Sequence, residues 1–158
     1  LKELKETLSS NEAFVDIVRL DGVYDFEQDT WQDTVRYFAY VITAETKDVP
    51  IRIELPFDGK RMEEELFELY SSYANGNNRM LTDKDELSYG VYWSAIAPLV
   101  KDKSVIHLAS AGVYNKLNPG TLYNPATKSY LGEEKELHLR TNVSCVIRPE
   151  LARRVELL

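Results

Sequence analysis

The chain has 158 residues, 44% hydrophobic and 28% charged, with 7 Gly, 6 Pro and a net charge of −7. Such a length buries roughly two-thirds of the unfolded surface in one domain, and the hydrophobic content argues against disorder. The charge is uneven: residues 1–79 carry 9 Lys+Arg against 17 Asp+Glu, and residues 80–158 carry 10 against 9. Phosphate backbones seek basic surfaces, so free nucleic acid is not an expected partner.

A short helix is expected over residues 1–10, where Leu1, Leu4, Lys5 and Leu8 share a side. From Ala13 to Phe26 the pattern reads as two strands joined at Asp21-Gly22, a favoured two-residue turn. A polar loop follows over Glu27 to Asp33, then a strand from Val35 to Ala44 that is apolar and aromatic on both faces. Ile51, Ile53 and Leu55 alternate with Arg52 and Glu54, which predicts a half-exposed partner strand.

Asp58 is a good helix N-cap, and Met62, Leu66, Leu69, Tyr70 and Tyr73 recur at helical spacing before Asn75-Gly76 ends the run. Glu63, Glu64, Glu65 and Glu68 read as the wet side of that helix. A second helix is expected to start at Thr82, capping Asp85, and to end before Pro98. Short strands are expected at Ser104 to Leu108 and on either side of Asn124-Pro125-Ala126-Thr127, at Leu122–Tyr123 and Ser129–Leu131. Leu137 to Ile147 alternates apolar and polar residues, which predicts one long strand with Cys145 as a buried, inert thiol. Pro149 opens a last helical turn with Leu151, Val155 and Leu158 inward.

These elements make one α+β domain over residues 1–158: a mostly antiparallel sheet of about six to eight strands, with two central helices (about 58–75 and 83–97) packed on it. The chain begins with Leu rather than Met, which fits either a trimmed chain or a piece of a longer protein. The longest uncharged run, Leu87 to Val100, is shorter than the ~20 residues a membrane helix needs, so no membrane is expected. A single cysteine precludes an intrachain disulfide and points to a cytoplasmic setting.

No catalytic set is assembled in sequence. Glycine-rich phosphate loops are missing, and Ser110-Ala111-Gly112 is not a nucleophile elbow. His107 and His138 lie in separate predicted strands, without a further ligand at metal-binding spacing. Asp25, Glu27 and Asp29 match the start of a calcium loop, but Thr30 stands where Gly is needed and Arg36 where a bidentate Glu is needed. The distinctive residue is tyrosine, at 10 copies with two Trp. Tyr buries an apolar ring and keeps a wet hydroxyl, which suits docking surfaces.

The sequence therefore suggests a non-catalytic binding domain that needs no cofactor. Its expected docking surface comprises Tyr89, Tyr92, Trp93, Tyr114, Tyr123 and Tyr130, and its expected partner is another protein or a second copy. Two alternatives carry their own geometric conditions. A metal-dependent phosphodiesterase would use Asp29, Asp33, Glu45 and Lys47 around a divalent ion. An acidic decoy of a nucleic-acid-binding protein would need the acids of residues 12–33 and 63–68 on one face.

Overall fold

The computed structural model describes residues 1–74 and 84–147. Helix α1 (Lys2–Thr7) precedes strands β1 (Glu12–Asp25), β2 (Thr30–Thr43) and β3 (Ile51–Glu54). Helices α2 (Gly59–Glu63), α3 (Glu65–Ala74) and α4 (Glu86–Tyr92) follow. The chain then returns to β4 (Val105–Ala109), β5 (Tyr123–Asn124), β6 (Ser129–Tyr130), α5 (Leu131–Glu134), β7 (Glu136–Arg140) and α6 (Ser144–Ile147).

The main sheet has five strands in the order β3-β2-β1-β4-β7, and β5 and β6 form a separate two-stranded sheet. The fold is thus α+β, and its sheet is mostly but not wholly antiparallel. β3, β2 and β1 run antiparallel, whereas β1-β4 and β4-β7 are parallel. Parallel neighbours need long crossovers, and here the helical segment between β3 and β4 supplies one.

Strand periodicity splits β1 and β4 between two cores. Ala13, Val15, Ile17, Ile106 and Leu108 face a large core with Met62, Leu66, Tyr70, Val91, Tyr92 and Trp93. Phe14, Ile42 and Ala109 face a smaller core closed by Leu4 and Leu8 of α1 and Val146 of α6.

Four local expectations are corrected. The first concerns Asp21-Gly22, which is no turn: β1 passes straight through it, and the register shifts between Asp21 and Val23. Gly22 sits at φ +69°, in a bulge that a Gly at positive φ serves as well as it serves a turn. Reversal comes instead at residues 26–29, where Asp29 adopts φ +53°.

Second, the helix expected over 58–75 breaks at Glu64, whose backbone lies at φ −108°, ψ −94°. The Asp58 cap is present, accepting from the Arg61 amide at 3.0 Å, and Asn75-Gly76 lies outside the described residues. Glu63 is not solvated: Arg19 Nε binds its Oε1 at 2.5 Å and Arg19 Nη2 binds its Oε2 at 3.0 Å. Third, the second helix spans only Glu86–Tyr92, capped by Asp85 at 3.0 Å from the Ser88 amide, with a 3₁₀ turn at Ala97–Leu99. Thr82 lies outside the described residues.

Fourth, the long alternating strand stops at Arg140. Asn142 accepts the Ser144 amide on its side chain (2.8 Å), and a short helix follows. Asn and Ser offer the backbone such local bonds in place of a ladder, which a count of apolar residues misses. Leu139 is consequently exposed, and Cys145 is half-exposed, with its thiol pKa pulled down mainly by the Thr141 hydroxyl. The turn expected after Pro149 lies outside the described residues.

The 3₁₀ turn at Gly112–Asn115 is fastened to the sheet by Tyr37, whose hydroxyl accepts from the Val113 amide at 2.9 Å. Gly112 has φ +56°, and a Cβ there would collide with that hydroxyl. Gly112→Ala is expected to lose about 2–4 kcal/mol of stability, read as a lower urea midpoint at unchanged slope.

Candidate functional site

β1 and β2 are much longer than their neighbours. β4 pairs with β1 only over Glu12–Asp16, and β3 pairs with β2 only over Phe38–Val41. Beyond those registers, and the Leu55 amide that donates to Tyr37 O at 2.9 Å, the ladder of β1 and β2 continues on its own to the last pair Asp25–Thr30. The outer part of this two-stranded arm carries Leu20, Tyr24, Phe26 and Trp31.

Phe26 is 88% exposed and Trp31 73%. Tyr24 holds them together edge-on, with ring centroids 5.0 Å from Phe26 and 5.4 Å from Trp31. The turn below is built by polar side chains. Asp25 Oδ1 accepts from the amides of Glu27 (2.9 Å) and Gln28 (3.1 Å), and its Oδ2 accepts from Gln32 Nε2 at 2.8 Å. The Tyr24 hydroxyl donates to Asp29, whose carboxylate raises the phenol pKa. A surface fixed in this way loses little freedom on docking.

Residues 20–34 contain five acids (Asp21, Asp25, Glu27, Asp29, Asp33) and no Lys or Arg. Asp21 leans on Arg19, and Asp33 pairs with Lys60 at 2.5 Å. Glu27 has no ion-pair partner among the described residues. The arm is therefore both aromatic and negative.

The six aromatic residues singled out from the sequence do not form one outward surface. Tyr92, Trp93 and Tyr114 are core: Trp93 is 1% exposed, and the other two are as deeply buried. Their polar atoms are spent inside, with the Tyr92 hydroxyl donating to Met62 O (2.8 Å) and that of Tyr114 to Tyr92 O (2.6 Å). Burial pushes both phenol pKa values up. Tyr123 and Tyr130 pair edge-on across β5 and β6 (5.4 Å), beneath the Lys84 ammonium. Tyr89 is half-buried and lines a shallow cleft of about 350 Å³ with Trp93, Leu131 and Glu134. Glu134 is already engaged there by Ser129 (2.6 Å), Asn124 (3.1 Å) and Thr127.

The phosphodiesterase set is dispersed. Asp33 lies near the start of β2 and Glu45 two residues past its end at Thr43, and the ten residues of extended chain from Asp33 to Thr43 span roughly 33 Å. Glu45 is instead paired with Lys103 at 2.8 Å, which brings its pKa down to about 2. Among the described residues no cluster of three His, Cys, Asp or Glu is placed to hold a metal ion. Of the acids the decoy reading invokes, Glu12 sits at the far end of β1 from the arm, and Glu63 and Glu65 are paired with Arg19 and Arg61.

Parallel pairing does bring the two histidines together, by placing His107 of β4 opposite His138 of β7. Their rings stack at 5.2 Å. His107 Nε2 contacts Glu12 Oε1 at 3.2 Å, while Arg140 Nε points at its Nδ1 from 3.4 Å. A guanidinium facing Nδ1 demands a neutral imidazole with its proton on Nε2. Burial, chiefly, lowers the His107 pKa, with Glu12 opposing and Arg140 and His138 reinforcing. This hydrogen-bonded cluster links β1, β4 and β7.

No protein-family model, curated protein or solved structure matches this chain. No helix among the described residues is long and apolar enough to cross a membrane.

A lowered His107 pKa makes stability depend on pH with a defined sign. The unfolded chain binds a proton near pH 6.5 and the folded one only below that, so stability is full above 6.5 and falls as the pH drops below it. The urea midpoint should fall between pH 7 and pH 5.5, and less so in His107→Gln, which keeps a donor toward Glu12 but does not titrate.

Proposed function

We propose that this chain is a non-catalytic binding domain that docks a basic protein segment through its aromatic arm. The observation that carries this reading is the ordered pair of exposed rings, Phe26 and Trp31, on an arm that holds five acids and no Lys or Arg over residues 20–34, two of those acids being paired with Arg19 and Lys60. Large apolar side chains left in water next to each other favour a partner that covers them. The surrounding carboxylates select its charge and speed encounter with it. A Lys/Arg-rich segment with an aliphatic or aromatic anchor satisfies both conditions. The lone thiol, Cys145, suits a cytoplasmic setting in which it stays reduced.

The two tryptophans make the test direct, since Trp31 is exposed and Trp93 is buried. Titration with Lys/Arg-rich peptides carrying one aromatic anchor should shift emission to the blue through Trp31, and added salt should weaken the effect. Peptides with Asp/Glu in place of Lys/Arg should give no shift. Phe26→Ala should leave the melting temperature unchanged and weaken binding by about 2 kcal/mol, some thirtyfold. Equal responses to basic and acidic peptides, or full binding by Phe26→Ala, would overturn the proposal.

A further inference from the structure

The second inference concerns β7, at the other edge of the sheet, and is independent of the arm. Among the described residues β7 is a parallel edge strand with one neighbour, β4. Parallel strands are ordinarily covered, and an open edge presents a row of unpaired backbone groups. The Glu136 amide donates to Ser104 O at 2.8 Å, so the even-numbered residues of β7 turn their backbone toward β4. Leu137 and Leu139 therefore turn their N–H and C=O groups outward. Leu139 is also 61% exposed through its side chain.

The five residues read Glu136-Leu137-His138-Leu139-Arg140, a sequence that is complementary to itself when reversed. We propose that β7 pairs antiparallel with β7 of a second copy of this chain, about a two-fold axis at His138. In that register each Glu136 faces Arg140 of the other copy, and each Leu137 faces Leu139. Leu137 and Leu139 form the hydrogen-bonded pairs, which uses the backbone groups that β4 leaves free. Glu136, His138 and Arg140 share one face of the strand, and Leu137 and Leu139 share the other, so opposite charges meet on one side and apolar side chains on the other. A two-fold interface requires this self-complementarity. The sheet becomes a continuous ten-stranded one across the two copies. A ladder of five residues is small beside the roughly 1,600 Å² of a standard interface, so the dimer is weak and depends on concentration.

Sedimentation equilibrium of the chain over a wide concentration range tests this. The expected result is a monomer–dimer equilibrium that Glu136→Arg and Arg140→Glu each weaken by at least about tenfold, because each sets like charges opposite one another. Mixing those two variants should restore dimers, since both 136–140 pairs are then opposite in charge. Arg140 also touches His107, so Leu139→Lys, at an exposed side chain, serves as the second variant: it should keep the melting temperature and weaken the dimer. A chain that stays monomeric throughout, a dimer untouched by Leu139→Lys, or a mixture that fails to recombine overturns the proposal. A dimer lost instead in Phe26→Ala would move the contact to the arm and equally overturn it.

Discussion

The mismatch in strand length at the centre of the sheet governs most of what this molecule presents to its surroundings. β1 and β2 pair from Ala13–Thr43 to Asp25–Thr30, whereas β3 and β4 support only the end of that ladder next to the helices' core. A two-stranded ribbon alone is marginal in water. Its inner stretch is held by a clasp on Tyr37, whose hydroxyl donates to Glu63 Oε1 at 2.5 Å and accepts from the Val113 amide at 2.9 Å. Glu63 is in turn gripped by the Nε–Nη2 edge of the Arg19 guanidinium, chiefly because of which its pKa lies below the usual carboxylate range. One half-buried carboxylate thus joins β1, β2 and α2. A carboxylate with all its partners is stable there, and removal of any one leaves a charge or a hydroxyl unmet. Further out the ribbon keeps its own ladder, the Tyr24–Phe26–Trp31 contacts and surface bonds such as Asp33–Lys60 and Gln32–Asp25, and apolar area remains there for a partner to cover.

The high tyrosine content follows from how the larger core is closed. Tyr92 and Tyr114 meet edge-on at 5.8 Å, and Tyr37 and Tyr114 at 5.9 Å. Each carries its hydroxyl to a backbone group that would otherwise be buried unpaired. The Tyr70 hydroxyl does the same near the surface, accepting from the Asn118 amide at 3.0 Å and bonding Thr121 Oγ1 at 2.9 Å. Short helices and 3₁₀ turns leave many free carbonyls and amides, and a phenol at the end of an apolar ring reaches them without opening the core. Tyrosine here serves chiefly to reconcile irregular chain with a dry interior.

Several features were legible in the residues. The Asp58 cap, the apolar stretch from Val35, the alternation at Ile51–Leu55 and the turn at residues 124–127 are signalled within a few positions of themselves. Asp21-Gly22 was misread because one local preference serves two structures, a turn and a bulge. Which of them forms depends on whether the strands can continue pairing beyond it, as Tyr24 and Trp31 do across the ribbon. The extent of the last strand was misread for a related reason: Asn142 and Ser144 fit an alternating pattern by polarity while bonding their own backbone. Trp31 stands among polar residues (Gln28 to Thr30 and Gln32 to Thr34) and Trp93 beside Val91, Tyr92 and Ile96, so a local signal does separate them, and the number of neighbouring strands and helices leaves the first wet and the second dry.

The chain by itself determined what periodicity, capping and composition can determine: an α+β domain with a long central strand, a capped helix after Asp58 and no assembled catalytic motif. Tertiary structure alone decided which aromatic rings face water and that His107 and His138 stack. The physical reason is that secondary structure follows from contacts a few residues apart, whereas exposure and encounter follow from strand order. The parallel placement of β4 and β7 beside β1 is set by how the whole chain buries its two cores.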